Sequence, residues 1–163
     1  TIVAGLTRLQ RARLHRAIAR ALEGLPPAGR LDALAHHSYL AGPFAGEGSA
    51  LRHALAAAAA ARERFAFVTA AEHVARAVEL TDGAGDDPSA LLVELGRDRR
   101  AAGDLTGAQA ALSRAITLAR ERGDTDRAAD AASVFGGVAL WNWRAYGSSD
   151  ETVIERLDDL LTG

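Results

Sequence analysis

Apolar positions recur at helical spacing along nearly the whole chain, and no stretch shows the alternation of a half-buried strand. In the first segment one predicted face carries Leu14, Ile18, Ala21, Leu22 and Leu25. The pattern predicts eight helices, over residues 5–24, 30–41, 48–64, 67–81, 88–102, 105–122, 125–140 and, behind a cap formed by Ser148 and Glu151, the end of the chain.

The predicted helices are joined by short turns, such as Gly103-Asp104 and Gly123-Asp124. We expect a Gly- and Asp-rich loop over residues 81–87, with Asp87 capping the fifth helix and proline at its first position. Thr106-x-x-Gln109 fits a capping box for the sixth. Because short connections join antiparallel neighbours, residues 1–163 are expected to form one helical domain.

Two stretches of the chain repeat each other at an offset of 38 residues. Ala70, Val74, Ala77 and Leu80 in the fourth helix match Ala108, Leu112, Ala115 and Leu118 in the sixth. A unit that recurs in this way cannot bury its apolar face alone, so the copies are predicted to stack.

The fifth and sixth helices resemble a tetratricopeptide repeat. Leu95-Gly96 stands where that repeat has its Leu-Gly pair, and the small-large-small triplet that follows is Ala108, Leu112 and Ala115. Two positions depart from the pattern, because Arg99 replaces the usual aromatic residue and Arg120 the usual terminal proline. The resemblance implies an all-α, right-handed stack of about eight antiparallel helices, with irregular repeats.

The wider chain looks like the helical-repeat region of bacterial transcriptional regulators of the LuxR and AfsR type. Three phrases carry the likeness: residues 11–16 leading to Ala21-Leu22-Glu23, then Leu34-Ala35-His36-His37, and Trp141-x-Trp143-Arg144-x-Tyr146-Gly147. The resemblance implies a regulatory segment beside an ATPase module and a DNA-binding module. No phosphate-binding loop occurs here and the chain does not begin with Met, so we expect it to be a fragment of a larger multidomain protein.

Composition narrows the function classes. Apolar residues make up 48% of the chain and charged residues 25%, which is typical of a globular protein. A net charge of −2 provides no overall attraction to nucleic acid or to an anionic membrane, and neither is an expected partner. The chain has no cysteine and no apolar run long enough to span a bilayer, so a cytoplasmic location is expected.

A stripe of arginines, Arg13, Arg16 and Arg20, lies opposite the apolar face predicted for the first helix. It is either a solvated face or a docking face for an acidic neighbour. An aromatic cluster, Trp141, Trp143 and Tyr146, is either a packing anchor or an exposed patch that binds a peptide or small ligand.

No residue set indicates a metal, a cofactor or catalysis. The adjacent His36 and His37 point about 100° apart on a helix, and His15, His53 and His73 lie on other helices. We expect structural or surface histidines, with one buried at a helix crossing and bonded to a carbonyl. The acidic residues of the 81–87 segment do not follow the order of a calcium loop, and no nucleophile, base and orienter can be assembled.

These observations predict a non-enzymatic segment that recognises protein on a helix-lined concave face and relays a signal to adjacent modules. The partner would be part of its own parent chain or another protein. A sensor for a small-molecule inducer and a purely structural spacer stay open as alternatives.

Overall fold

A computed structural model describes residues 6–26, 29–46 and 48–140, with side chains described as far as residue 136. These residues form helices and turns and contain no strand, which confirms the all-α class. The predicted eighth helix lies outside the described residues. The helices are α1 (Arg8–Glu23), α2 (Leu31–Ala41), α3 (Ser49–Glu63), α4 (Phe67–Ala84), α5 (Ser89–Ala101), α6 (Leu105–Glu121) and α7 (Thr125–Leu140), and a short 3-10 helix (Gly42–Phe44) follows α2.

The chain divides into two compact units, residues 1–85 and 86–163. In the first unit α1 packs against α2, α2 against α3 and α3 against α4. In the second unit α6 packs between its chain neighbours α5 and α7, and α5 also contacts α7 directly. Within each unit, every helix therefore packs on the next one along the chain, as short connections favour. The single-domain organisation stays a prediction.

One predicted loop is wrong at its start, because α4 continues through Thr81 to Ala84. Thr81 is buried and extends the packed face that Ala77 and Val78 begin, so tertiary packing overrides the Gly- and Asp-rich composition. The helix ends at Gly85, whose φ of 80° is left-handed.

Two predicted caps differ in detail. The residue that caps α5 is Pro88, while the Asp87 carboxylate accepts hydrogen bonds from the backbone N–H and the hydroxyl of Ser89. At α6 the capping residue is Asp104, which accepts from the backbone N–H of Gly107, and Thr106 does not take that role. A Cβ atom at Gly107 would clash with the Asp104 carboxylate, so this side chain would have to shift to admit a larger residue there.

The apolar face predicted for α1 is wrong in its orientation. Leu14 and Leu25 are 44% and 53% exposed, and Ala19 is the one α1 residue recorded as buried. Among the described elements α1 packs against α2 and the 3-10 helix, so only a narrow strip of it is covered. His15 and Ala19 lie on that strip, and the small alanine lets the two helices approach.

The 38-residue offset seen in the sequence recurs in the turns. Phe65, between α3 and α4, has a φ of 57°, and Gly103, between α5 and α6, has a φ of 84°. The next N–H reaches back five residues in both turns, from Ala66 to the Ala61 carbonyl and from Asp104 to the Arg99 carbonyl, at 2.9 Å each. The two hairpins therefore share one turn geometry.

The helix crossings in the two hairpins use complementary volumes. In the second hairpin Gly96 faces Leu112, and a Cβ at position 96 would lie 2.5 Å from the Leu112 Cγ. The positions 38 residues earlier hold Ala58 and Val74, both 1% exposed. In both hairpins, the first helix has a small buried residue, Ala58 or Gly96, and the second helix has a larger one, Val74 or Leu112.

We predict that Gly96→Ala lowers the free energy of unfolding by about 1–3 kcal/mol, because it overpacks the crossing. Adding Leu112→Val, which copies the Ala58 and Val74 pair, should recover part of the loss. Urea denaturation followed by circular dichroism measures both. Gly83→Ala is the matched control, since it lies in α4 with no atom within 4 Å of the added Cβ and should be neutral or stabilising. A destabilisation that Leu112→Val does not reduce would contradict this account.

We also predict that Phe65→Gly stabilises the chain by about 1 kcal/mol, because a non-glycine residue in the left-handed region is strained. Little packing is lost, since Phe65 is 80% exposed. Gly103→Ala, at the equivalent turn, should have the opposite effect. Thermal unfolding of both variants tests the pair, and a fall in melting temperature for Phe65→Gly would show that its side chain stabilises the turn.

Candidate functional site

The positive charge of α1 is not neutralised by ion pairs. The helix carries one carboxylate, Glu23, and five arginines, which are Arg8, Arg11, Arg13, Arg16 and Arg20. Among the residues that the structure describes, none of the five forms a salt bridge. The Arg13 guanidinium lies 5.9 Å from the centre of the Phe44 ring, which is a cation–π contact.

The stripe singled out from the sequence lies on the side of α1 that flanks the packed strip. Arg13 and Arg20 are exposed and Arg16 is half-buried. Leu9 lies on the same line of the helix, four residues before Arg13, and is also exposed. We call these four residues the α1 arginine surface.

A second feature is an open cleft of about 460 Å³ between α5 and α7, within the second unit. Its lining combines small apolar side chains with charges of both signs. The residues are Ala90, Val93, Glu94 and Arg97 from α5, and Asp124, Asp126, Arg127 and Asp130 from the start of α7. We call it the α5–α7 cleft.

Ion pairs hold most of the charged groups of the cleft in place. Arg97 donates to Glu94 and, across the cleft, to Asp130, both at 2.7 Å. Arg127 binds Asp124 at 3.1 Å, and the hydrogen bond from its backbone N–H holds the pKa of that carboxyl below its usual value. Asp126 is exposed and has no ion pair among the described residues. The cleft therefore presents the Asp126 carboxylate, which has no ion pair among the described residues, beside charged groups that are paired with one another.

Sequence reasoning missed this cleft. The Glu94-x-x-Arg97 spacing does signal an ion pair on one helix face. The contact of Arg97 with Asp130, 33 residues away, depends on α7 lying beside α5. No periodicity within either helix encodes that arrangement.

Three histidines from two helices lie close together between α1 and α2. The Nδ1 atoms of His15 and His37 are 2.7 Å apart, so one ring donates a hydrogen bond to the other. The ring of His36 lies 5.2 Å from that of His37 and 6.2 Å from that of His15, centre to centre. His15 lies on another helix than His36 and His37, as expected, and the strip of α1 that packs on α2 brings it against His37.

The histidine that is buried at a helix crossing is His73 of α4, and its partner is a carboxylate and not the expected carbonyl. Its Nε2 lies 3.0 Å from Asp32 on α2, and Arg76 lies 3.4 Å from its Nδ1. His73 thereby ties α4 to α2 through the Asp32 carboxylate.

The described residues contain no group of three or more His, Cys, Asp or Glu side chains arranged to hold a metal ion. Within the same part of the chain, every helix is too short or too polar to cross a membrane. Trp141, Trp143 and Tyr146, the predicted aromatic cluster, lie outside the described residues. Comparisons with protein-family models, with curated proteins and with solved structures found no match.

We predict that the free energy of unfolding falls as the pH is lowered from about 7.5 to about 5. Burial, followed by the charges of Arg76 and His15, holds the pKa of His36 below its usual value. Burial, followed by His15 and His36, does the same for His37. The unfolded chain therefore binds protons first, and stability is lost below the ordinary histidine pKa of about 6.5.

Urea titrations at a series of pH values measure this dependence. The double variant His36→Gln, His37→Gln should have a clearly shallower slope between about pH 5 and about pH 7. Glu72→Gln, at an exposed position of α4, is the control and should keep the native slope. An unchanged slope in the histidine variant would contradict the interpretation.

Proposed function

We propose that this chain is a non-catalytic protein-interaction segment whose α5–α7 cleft binds a segment of a partner protein. The observation that carries the proposal is the state of its charges. Arg97 is held by two carboxylates, while the exposed Asp126 has no ion pair with any residue that the structure describes. Such a preorganised polar wall loses little conformational entropy when a partner binds.

The lining defines the chemistry of the partner segment. A basic side chain would pair with Asp126, and small apolar groups would cover Ala90 and Val93 on the floor. Small-molecule sites are mostly enclosed and apolar, whereas this cleft is open and lined largely by charged groups. The cleft therefore favours a protein segment over a small-molecule inducer.

The repeat architecture supports an interaction role. The residue correspondence at an offset of 38 and the sequential helix packing within each unit are features of stacked helical repeats, which bind partners along an extended face. We propose that the stack is tetratricopeptide-like and right-handed. We further propose, from the resemblance to regulators of the LuxR and AfsR type, that it works in the cytoplasm and relays binding to an ATPase or DNA-binding module.

Site-specific photo-crosslinking in cells that make the natural protein tests the proposal. A benzophenone amino acid placed at Ala90, in the cleft, should form a protein adduct. Asp126→Arg should weaken that adduct at least about fivefold, since it places a like charge against a basic partner. Ala110, an exposed alanine of α6, is the matched control position and should not form the same adduct.

No adduct at Ala90, or one that Asp126→Arg leaves unchanged, would remove the cleft as a protein-binding site. A thermal-shift response to a metabolite that Asp126→Arg abolishes, without any adduct, would favour the sensor instead.

A further inference from the structure

We propose that the α5–α7 cleft receives the α1 arginine surface of a second copy of this chain, so that copies associate head to tail. The inference rests on the proposed function, because it names the partner of that cleft. It also gives the arginines of α1 carboxylate partners, which the described residues of a single copy do not provide.

The two units of the chain carry opposite charge. Residues 1–85 contain ten arginines and seven carboxylates, for a net charge of +3 with neutral histidines. Residues 86–163 contain nine arginines and fourteen carboxylates, for a net charge of −5. The first unit of one copy and the second unit of another therefore attract each other, which favours an encounter in that orientation.

Of the five arginines of α1, only Arg20 lies in the last turn, where the helix dipole favours positive charge. The first turn of α1 has no acidic residue, and Arg8 and Arg11 lie near the helix N-terminus, where the dipole disfavours positive charge. Arg13, Arg16 and Arg20 follow one another at spacings of three and four residues, at which like charges repel. With no salt bridge among the described residues, these groups remain available to an acidic partner.

The cleft offers the stripe one carboxylate, Asp126, because Asp130 is bound by Arg97 and Asp124 by Arg127. One arginine of the stripe can pair with Asp126, where the planar guanidinium suits paired hydrogen bonds. Leu9 extends the same line and offers apolar area to Ala90 and Val93.

Nucleic acid and anionic membranes also bind arginine, but the rest of the chain argues against both. The whole chain carries a net charge of −2, which provides no overall attraction to a polyanion. The arginine stripe is therefore better matched to a small group of carboxylates, such as the one in the cleft, than to a polyanion or a membrane. Because the two surfaces lie on different parts of the chain, the contact is heterologous and builds rings or open chains of copies.

Sedimentation velocity of the whole chain over a range of concentrations tests the inference. We expect self-association that weakens at least about tenfold between about 50 mM and about 500 mM salt. Charge reversal on one surface (Arg13→Glu, Arg16→Glu, Arg20→Glu) or on the other (Asp126→Arg) should leave the protein monomeric. Arg100→Glu, at an exposed position outside both surfaces, is the control and should associate as the native chain does. Circular dichroism verifies that each variant is folded.

Mixing the two monomeric variants is the decisive step. Each keeps one intact surface, so the mixture should form a 1:1 dimer that cannot grow. A native chain that stays monomeric, or a mixture that does not dimerise, overturns the inference. So does salt-sensitive binding to duplex DNA or to anionic vesicles that the triple arginine variant loses while self-association is unaffected. If the chain is monomeric but Ala90 still crosslinks to a different protein in an Asp126-dependent way, the proposed function stands and only its partner was misassigned.

Discussion

Close helix crossings made by small side chains are the constraint on which the rest of the structure depends. In the first unit the contact between α3 and α4 is built largely from alanine, with Ala57, Ala61 and Ala70 fully buried. In the second, Gly96 admits Leu112. Small residues let two backbones approach, but they bury little apolar area each, so stability depends on many well-fitted crossings. The α3–α4 and α5–α6 hairpins have the same turn geometry although their residues differ. The left-handed position is Gly103 in one turn and a strained Phe65 in the other.

Polar groups supplement this alanine-rich core in different ways in the two units. All five histidines lie in the first unit, where four of them link helices through hydrogen bonds of their rings: His15 to His37, His53 to Ser38, and His73 to Asp32. In the second unit ion pairs link the helices, as in the Arg97 bridge from α5 to α7. Such exposed ion pairs are weakened by salt.

Much of the fold could be predicted from local sequence signals. The starts of α6 and α7, and the glycines that end the helices before them, follow from chain chemistry that acts over a few residues. The predictions from sequence were wrong where contacts between residues far apart in the chain determine whether a residue is helical or buried. Thr81 stays helical because it is buried, and α1 turns His15 and Ala19 toward α2 in place of its leucines. The candidate site shows the same difference. The arginine stripe could be predicted because its residues lie on one helix, whereas the cleft could not because it forms between two helices.

By itself, the sequence determined the all-α class, the bounds of most helices, the 38-residue correspondence and the arginine stripe, because each depends on spacing along one helix or one turn. Only the tertiary structure decided which face of α1 is covered, which histidines meet and that Arg97 joins Glu94 and Asp130 beside an unmatched Asp126. Those outcomes depend on how helices rotate and pack against one another. Many small contacts between residues far apart in the chain set that packing, and no single stretch of sequence encodes it.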